Sequence, residues 1–218
     1  YGMSRLLPEI DFDLLAASGK LFIGHSDFTA LQMGLLAKGA TSLAGPMICD
    51  DFSRADLSDF TLQHFWEAVS ERSFRVDVVV SGNPAVHCEG HLWGGNLAML
   101  AHLAGTPWMP QVTGGILFVE DINEHPYRVE RMLQQLLYAG VLTGQKAILL
   151  GDFSGYKLTD YDNGYDFDCM VAYLRGRLGV PVLTGLPFGH IRDKLTLPVG
   201  ALCQLASTSA GFSLAISR

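Results

Sequence analysis

Gly24-His25-Ser26-Asp27-Phe28-Thr29 stands where the apolar run Leu21-Phe22-Ile23 gives way to the helical pattern Thr29-Ala30-Leu31-Gln32-Met33-Gly34-Leu35-Leu36. A serine on a sharp strand-to-helix turn projects its hydroxyl clear of the sheet, and the N–H groups of the following turn can hold an oxyanion. The Gly-x-Ser-x-Gly pattern of a nucleophile elbow is only partly met, because Phe28 occupies the second glycine position. A second reading stays open at this point: Ser26 or Asp27 simply caps the helix. Three more reactive side chains follow apolar runs of strand length. Glu120 follows Ile116-Leu117-Phe118-Val119, Asp152 follows Ile148-Leu149-Leu150-Gly151, and His190 follows Val182-Leu183-Thr184-Gly185 through Leu186-Pro187-Phe188-Gly189. A hydroxyl, an imidazole and a carboxylate at strand ends are what a hydroxyl-activating triad requires, and the chain order Ser, acid, His is one such sites use. Each also has a structural reading. Glu120 and Asp152 are suited to capping, and His190 to a hydrogen-bonded loop.

The elements that would position these groups alternate between short apolar runs and longer amphipathic stretches, which predicts an α/β chain with buried parallel strands. Strands are expected at Lys20 to Gly24, Ser42 to Met47, Phe74 to Val80, Gly115 to Val119, Lys146 to Gly151 and Val180 to Gly185. A terminal pair is expected near Lys194 to Pro198 and Phe212 to Ile216. Helices are expected at Phe12 to Ala17, Phe28 to Lys38, Asp56 to Arg72, Asn96 to Leu103, Pro126 to Leu142 and Phe167 to Leu178. The turn cluster Ser81-Gly82-Asn83-Pro84 and the pair Gly94-Gly95 mark residues 81–95 as a linker. Residues 1–80 would then hold the serine, and residues 96–218 the glutamate and histidine, with the site in the cleft between them.

The 218 residues are 49% hydrophobic and 17% charged, an ordinary globular composition. A net charge of −7 without a Lys/Arg cluster argues against a nucleic-acid surface. No apolar run approaches the roughly 18 to 20 residues that span a bilayer. Cys49, Cys88, Cys169 and Cys203 form no Cys-x-x-Cys pair and the seven histidines show no ligand spacing, so neither a metal nor another cofactor is expected.

Five blocks carry a more specific signal: Gly24 to Ala30, Leu92-Trp93-Gly94-Gly95-Asn96-Leu97, Gly105-Thr106-Pro107-Trp108, Ile116 to Leu133, and Gly185 to His190. In order, and over essentially the whole chain, they resemble the bacterial LD-carboxypeptidases (muramoyl-tetrapeptide carboxypeptidases). This serine peptidase family also contains the microcin C immunity peptidases. The resemblance implies an N-terminal parallel-sheet domain bearing the serine, followed by a mixed α/β domain with terminal antiparallel strands. It implies a triad of Ser26, His190 and Glu120, with the backbone N–H of Asp27 as an oxyanion donor. Gly94, Gly95 and Asn96 match a block near the family's cleft, and Arg128 or Arg131 offers a guanidinium for the substrate carboxylate.

The implied substrate is a muropeptide tetrapeptide from peptidoglycan recycling, cut between its L-diamino-acid centre and the terminal D-alanine. A cytoplasmic homodimer is the corresponding expectation, with a periplasmic location if a signal peptide precedes Tyr1. Tyr1-Gly2-Met3-Ser4-Arg5-Leu6-Leu7 resembles the end of a family block that reads Arg-Gly-Gly-Tyr-Gly before Ser-Arg-Leu-Leu. The first strands of the nucleophile domain are therefore expected to precede this sequence, and the 218 residues alone to be weakly active. The competing expectations are a non-catalytic fragment of the fold, or a related serine hydrolase acting on esters or peptidyl nucleotides.

Overall fold

The computed structural model describes residues 2–218. Its helices in chain order are α1 (Met3–Leu6), α2 (Phe12–Ala17), α3 (Thr29–Ala37), α4 (Asp59–Ser70), α5 (Leu97–Leu103), α6 (Pro126–Tyr138) and α7 (Phe167–Arg177). The strands are β1 (Ile23–Gly24), β2 (Ser42–Ala44), β3 (Ser73–Val79), β4 (Val86–Asn96), β5 (Ile116–Glu120), β6 (Ala147–Leu150), β7 (Val182–Thr184), β8 (Leu197–Val199), β9 (Leu202–Thr208) and β10 (Gly211–Ser217).

Two sheets result, one of three strands in the order β1-β2-β8 and one of seven in the order β3-β10-β9-β4-β5-β6-β7. In the first, β1 and β2 run parallel and β8 is antiparallel to β2. In the second, β4 to β7 are parallel, while β9, β10 and β3 extend the sheet antiparallel beyond β4. The fold is thus mixed α/β, as the sequence predicts. Ile116 to Glu120 and Ala147 to Leu150 are buried at every position, which marks parallel strands covered on both faces. Leu202 to Thr208 instead alternates exposed and buried, with Cys203 and Leu205 facing the core.

Helix ends follow local chemistry. Pro126 occupies the first turn of α6, whose stripe of Val129, Leu133 and Leu136 is buried. That helix stops at Tyr138 rather than running to Leu142, because Gly140 turns left-handed at φ 79°.

Three expectations are corrected. Residues 81–95 are not a linker: Val86 to Asn96 form the longest strand, β4, at the centre of the large sheet. Its glycines are there for close approach rather than flexibility. A Cβ on Gly94 would collide with the Phe118 carbonyl oxygen of β5, and one on Gly95 with the Thr29 hydroxyl of α3. Second, β3 pairs with β10 in the sheet of the later strands, so residues 1–80 do not form a unit of their own. Third, the segments near Lys194 and Phe212 do not pair with each other. β8 joins β2 in the small sheet, and β10 pairs instead with β9 and β3.

Candidate active site

The parallel strands β1, β5 and β7 end at the groups picked out by their chemistry, which places them where open α/β sheets bind ligands. Gly24 closes β1 and Ser26 opens a single 3-10 turn, Ser26–Phe28, that runs into α3. A Cβ on Gly24 would lie 2.8 Å from the Phe28 ring, so this glycine lets the turn fold back on the strand. Ser26 itself is held at φ 59°, in the left-handed region a β-substituted residue avoids at a cost of about 1–3 kcal/mol. No side-chain cap is made at the start of either the turn or α3, so the helix-capping reading of Ser26 finds no support in the structure.

Glu120, the last residue of β5, is fully buried, and its Oε2 accepts a 2.8 Å hydrogen bond from His190 Nδ1. Because a carboxylate only accepts, this bond assigns the imidazole proton to Nδ1 and leaves the Nε2 lone pair for a substrate-side proton. The His190 loop is pinned from below. Phe188 is buried edge-on to Phe118 of β5 at 5.1 Å, and its carbonyl accepts from Asp152 N–H. Hydrogen bonding to Glu120 raises the His190 pKa above its ordinary value; burial and the Lys194 charge oppose that rise. The corresponding stability is fully present below the unfolded value of about 6.5 and is lost as pH rises through the raised value.

Asp152 is not the acid of this pair. Its Oδ1 accepts from Ser154 N–H at 3.0 Å and from the Ser154 hydroxyl at 2.5 Å, closing a turn. Arg128 lies on exposed helix surface, with Nη1 3.7 Å from Glu124 and Nε 3.5 Å from the Tyr127 hydroxyl. Arg131 stacks over the Tyr127 ring at 5.6 Å. Gly94, Gly95 and Asn96 are buried at the junction of β4, β5 and α3.

His25 joins the two halves of the site. Its ring meets that of His190 edge-on with centroids 5.0 Å apart, which brings the Ser26 turn beside the His190–Glu120 pair. Among the described residues no hydrogen bond yet joins Ser26 Oγ to His190, as is common before substrate tightens such a site. His25 Nδ1 donates to the Gly45 carbonyl at 3.0 Å. Burial first, then the nearby Lys194 charge, lowers the His25 pKa to about 4. It is therefore neutral near pH 7, and stability falls with pH between about 6.5 and 4, where only the unfolded chain takes up the proton. Lys194 is paired at 2.7 Å with Asp51 in an almost fully buried contact. Sequence reading missed both partners, since a pair so far apart in the chain has no spacing signal; His25 was visible inside its motif but had no partner to reveal its role. Among the described residues no group of three or more His, Cys, Asp and Glu is placed to hold a metal ion, and no helix is long and apolar enough to cross a membrane.

Comparison with known proteins bears on the same residues. A family model described as the LD-carboxypeptidase C-terminal domain matches residues 89–205, and one described as the LD-carboxypeptidase N-terminal domain matches residues 1–45. A "Probable murein peptide carboxypeptidase" of Bacillus subtilis is 31% identical over 92% of this chain and 64% of its own length. The crystal structure of a muramoyltetrapeptide carboxypeptidase from Oxalobacter formigenes superposes with a TM-score of 0.97 at 60% identity, covering 99% of this chain and 74% of that one. Microcin C7 self-immunity protein MccF, in complex with glutamyl sulfamoyl guanosine, superposes with a TM-score of 0.84 at 25% identity, covering 98% of this chain and 72% of its own. The chain spans about two thirds of the length of the curated relatives it matches.

Proposed function

The chain belongs to the LD-carboxypeptidase family, and on that premise we propose that it works as a serine carboxypeptidase on muropeptides. The bond cleaved joins an L-diamino-acid centre to a terminal D-alanine, in a tetrapeptide released during peptidoglycan recycling. The observation that carries this reading is the 2.8 Å contact of His190 Nδ1 with the buried Glu120, set beside a strained Ser26 turn. The family resemblance alone supports a cytoplasmic setting and a homodimer.

In this mechanism Ser26 Oγ attacks the scissile carbonyl carbon while His190 Nε2 takes the hydroxyl proton. Glu120 holds the imidazole through Nδ1–H and stabilises the imidazolium that forms. The oxyanion is met by the Asp27 N–H at the start of the turn. Collapse of the tetrahedral adduct breaks the C–N bond, and His190 returns its proton to the departing amine of D-alanine. Water then attacks the acyl-serine with His190 again as base, which restores Ser26 and frees the tripeptide carboxylate.

Because His190 must be neutral to act as base and its pKa is raised, the acid limb of kcat/KM is expected above about pH 6.5. A pH profile with its half-maximum well below 6 would contradict the pairing. The substrate reading is tested on the protein as encoded, with a murein tetrapeptide ending in D-alanine and its all-L counterpart, scored by mass spectrometry. D-Alanine is expected from the first alone. Cleavage of the all-L peptide without the LD form would refute the specificity, and turnover of a peptidyl nucleotide with neither tetrapeptide cut would favour the nucleotide-directed alternative.

A further inference from the structure

We infer that Asn96 is a positioning residue that holds the acid of the triad and ties it to the serine helix; this rests on the triad reading above. Asn96 is the last residue of β4 and the N-cap of α5, 6% exposed. Both hydrogens of its side-chain amide are spent on carboxylates. Nδ2 donates to Glu120 Oε1 at 3.2 Å and to Asp121 Oδ1 at 3.0 Å. Its Oδ1 accepts from Met99 N–H at 3.1 Å. Carboxylates only accept and a backbone N–H only donates, so these partners admit one orientation of the amide.

Asp121 is anchored in turn. Its Oδ2 accepts from Ala98 N–H at 2.8 Å and its Oδ1 from Ile122 N–H at 2.9 Å. Glu120 is thus gripped at both oxygens, by His190 Nδ1 on Oε2 and by Asn96 Nδ2 on Oε1. The backbone of Asn96 reaches the other half of the site, its N–H donating at 3.0 Å to the hydroxyl of Thr29, the first residue of α3. Gly95, beside it, has no room for a Cβ against that same hydroxyl. A continuous path of hydrogen bonds therefore runs from the helix that follows Ser26, through Asn96 and Glu120, to His190. It gives Asn96 a role distinct from contact with substrate.

Asn96→Ser separates the functions of the side chain, because serine keeps an N-cap acceptor but is too short to donate to Glu120. In the protein as encoded, kcat on the LD tetrapeptide is expected to fall about 10²-fold, the order that a 1 Å misplacement of a reacting group costs, with KM held within about threefold. Thr29→Val, which keeps the shape and removes the acceptor for Asn96 N–H, is expected to lower kcat less, again without moving KM. Wild-type kcat in Asn96→Ser, whatever its melting temperature, would reduce the residue to the helix cap that serine retains. A raised KM at wild-type kcat would make it a substrate contact. Either result overturns the inference, as does wild-type kcat in Thr29→Val if Asn96→Ser does not fold. Retained activity in Ser26→Ala would instead remove the triad reading on which the inference stands.

Discussion

Replacing Ser26 by alanine is expected to lower kcat on the LD tetrapeptide by about 10⁴- to 10⁶-fold, with the fold and the melting temperature preserved. Neither the 3-10 turn nor α3 begins with a side-chain cap, so removal of the hydroxyl takes no cap from the helix. On the triad reading, what it takes is the atom that forms the acyl intermediate. Ser26→Gly sharpens the result. At φ 59° a glycine is relieved of the Cβ conflict that serine bears, so this variant should be equally inactive and melt no lower than its parent. Turnover surviving in both variants would take Ser26 out of the chemistry, and a lower melting temperature in Ser26→Gly would show that the turn is not strained.

Glu120→Gln is expected to cost about 10⁴ in kcat, through a tautomer rather than through lost volume. The two oxygens of Glu120 each face a donor, His190 Nδ1 on one side and Asn96 Nδ2 on the other. A glutamine offers only one acceptor. Asn96 cannot turn its amide around without losing Met99 N–H and facing Asp121 with an oxygen. The imidazole, by contrast, can shift its proton at little cost. The glutamine nitrogen therefore comes to face Nδ1, the proton moves to Nε2, and the base is spent. The loss should appear in kcat, and the acid limb of the pH profile should drop towards pH 6.5 as the carboxylate that raised the His190 pKa disappears. A Glu120→Gln enzyme with near-parental kcat and an unmoved limb would show that the carboxylate is idle.

Much of this site was legible in the chain because its parts sit at the ends of apolar runs. Ile116 to Val119 reads as a buried strand, and Glu120 is the first acid at its end, directly followed by Asp121. The Ser26 turn announces itself through the change from a short apolar run to helical periodicity. Gly185 to His190 follows the same logic. β4 was misread because Gly90, Gly94 and Gly95, together with His87, Glu89 and His91, look like a polar turn. Only the partners explain them, since Gly90 and Gly94 admit the backbone of residues 114 and 118, and Gly95 admits Thr29. β9 carried a period-2 signal in Cys203 and Leu205, weakened by the small residues Ala206 and Ser207. Asn96, His25, Asp51 and Lys194 owe their roles to contacts between distant segments. Spacing along the chain holds no record of those contacts.

The most direct test of the site is covalent capture of the nucleophile by a fluorophosphonate, with the adduct mapped by peptide mass spectrometry on the protein as encoded. A serine activated by His190 and Glu120 attacks phosphorus and expels fluoride, and the bulk of the protein's serines do not react. The predicted result is a single adduct on the peptide containing Ser26, absent from Ser26→Ala and slowed by orders of magnitude in His190→Ala. An adduct on another serine, or labelling of Ser26 at the parental rate in His190→Ala, would contradict the triad.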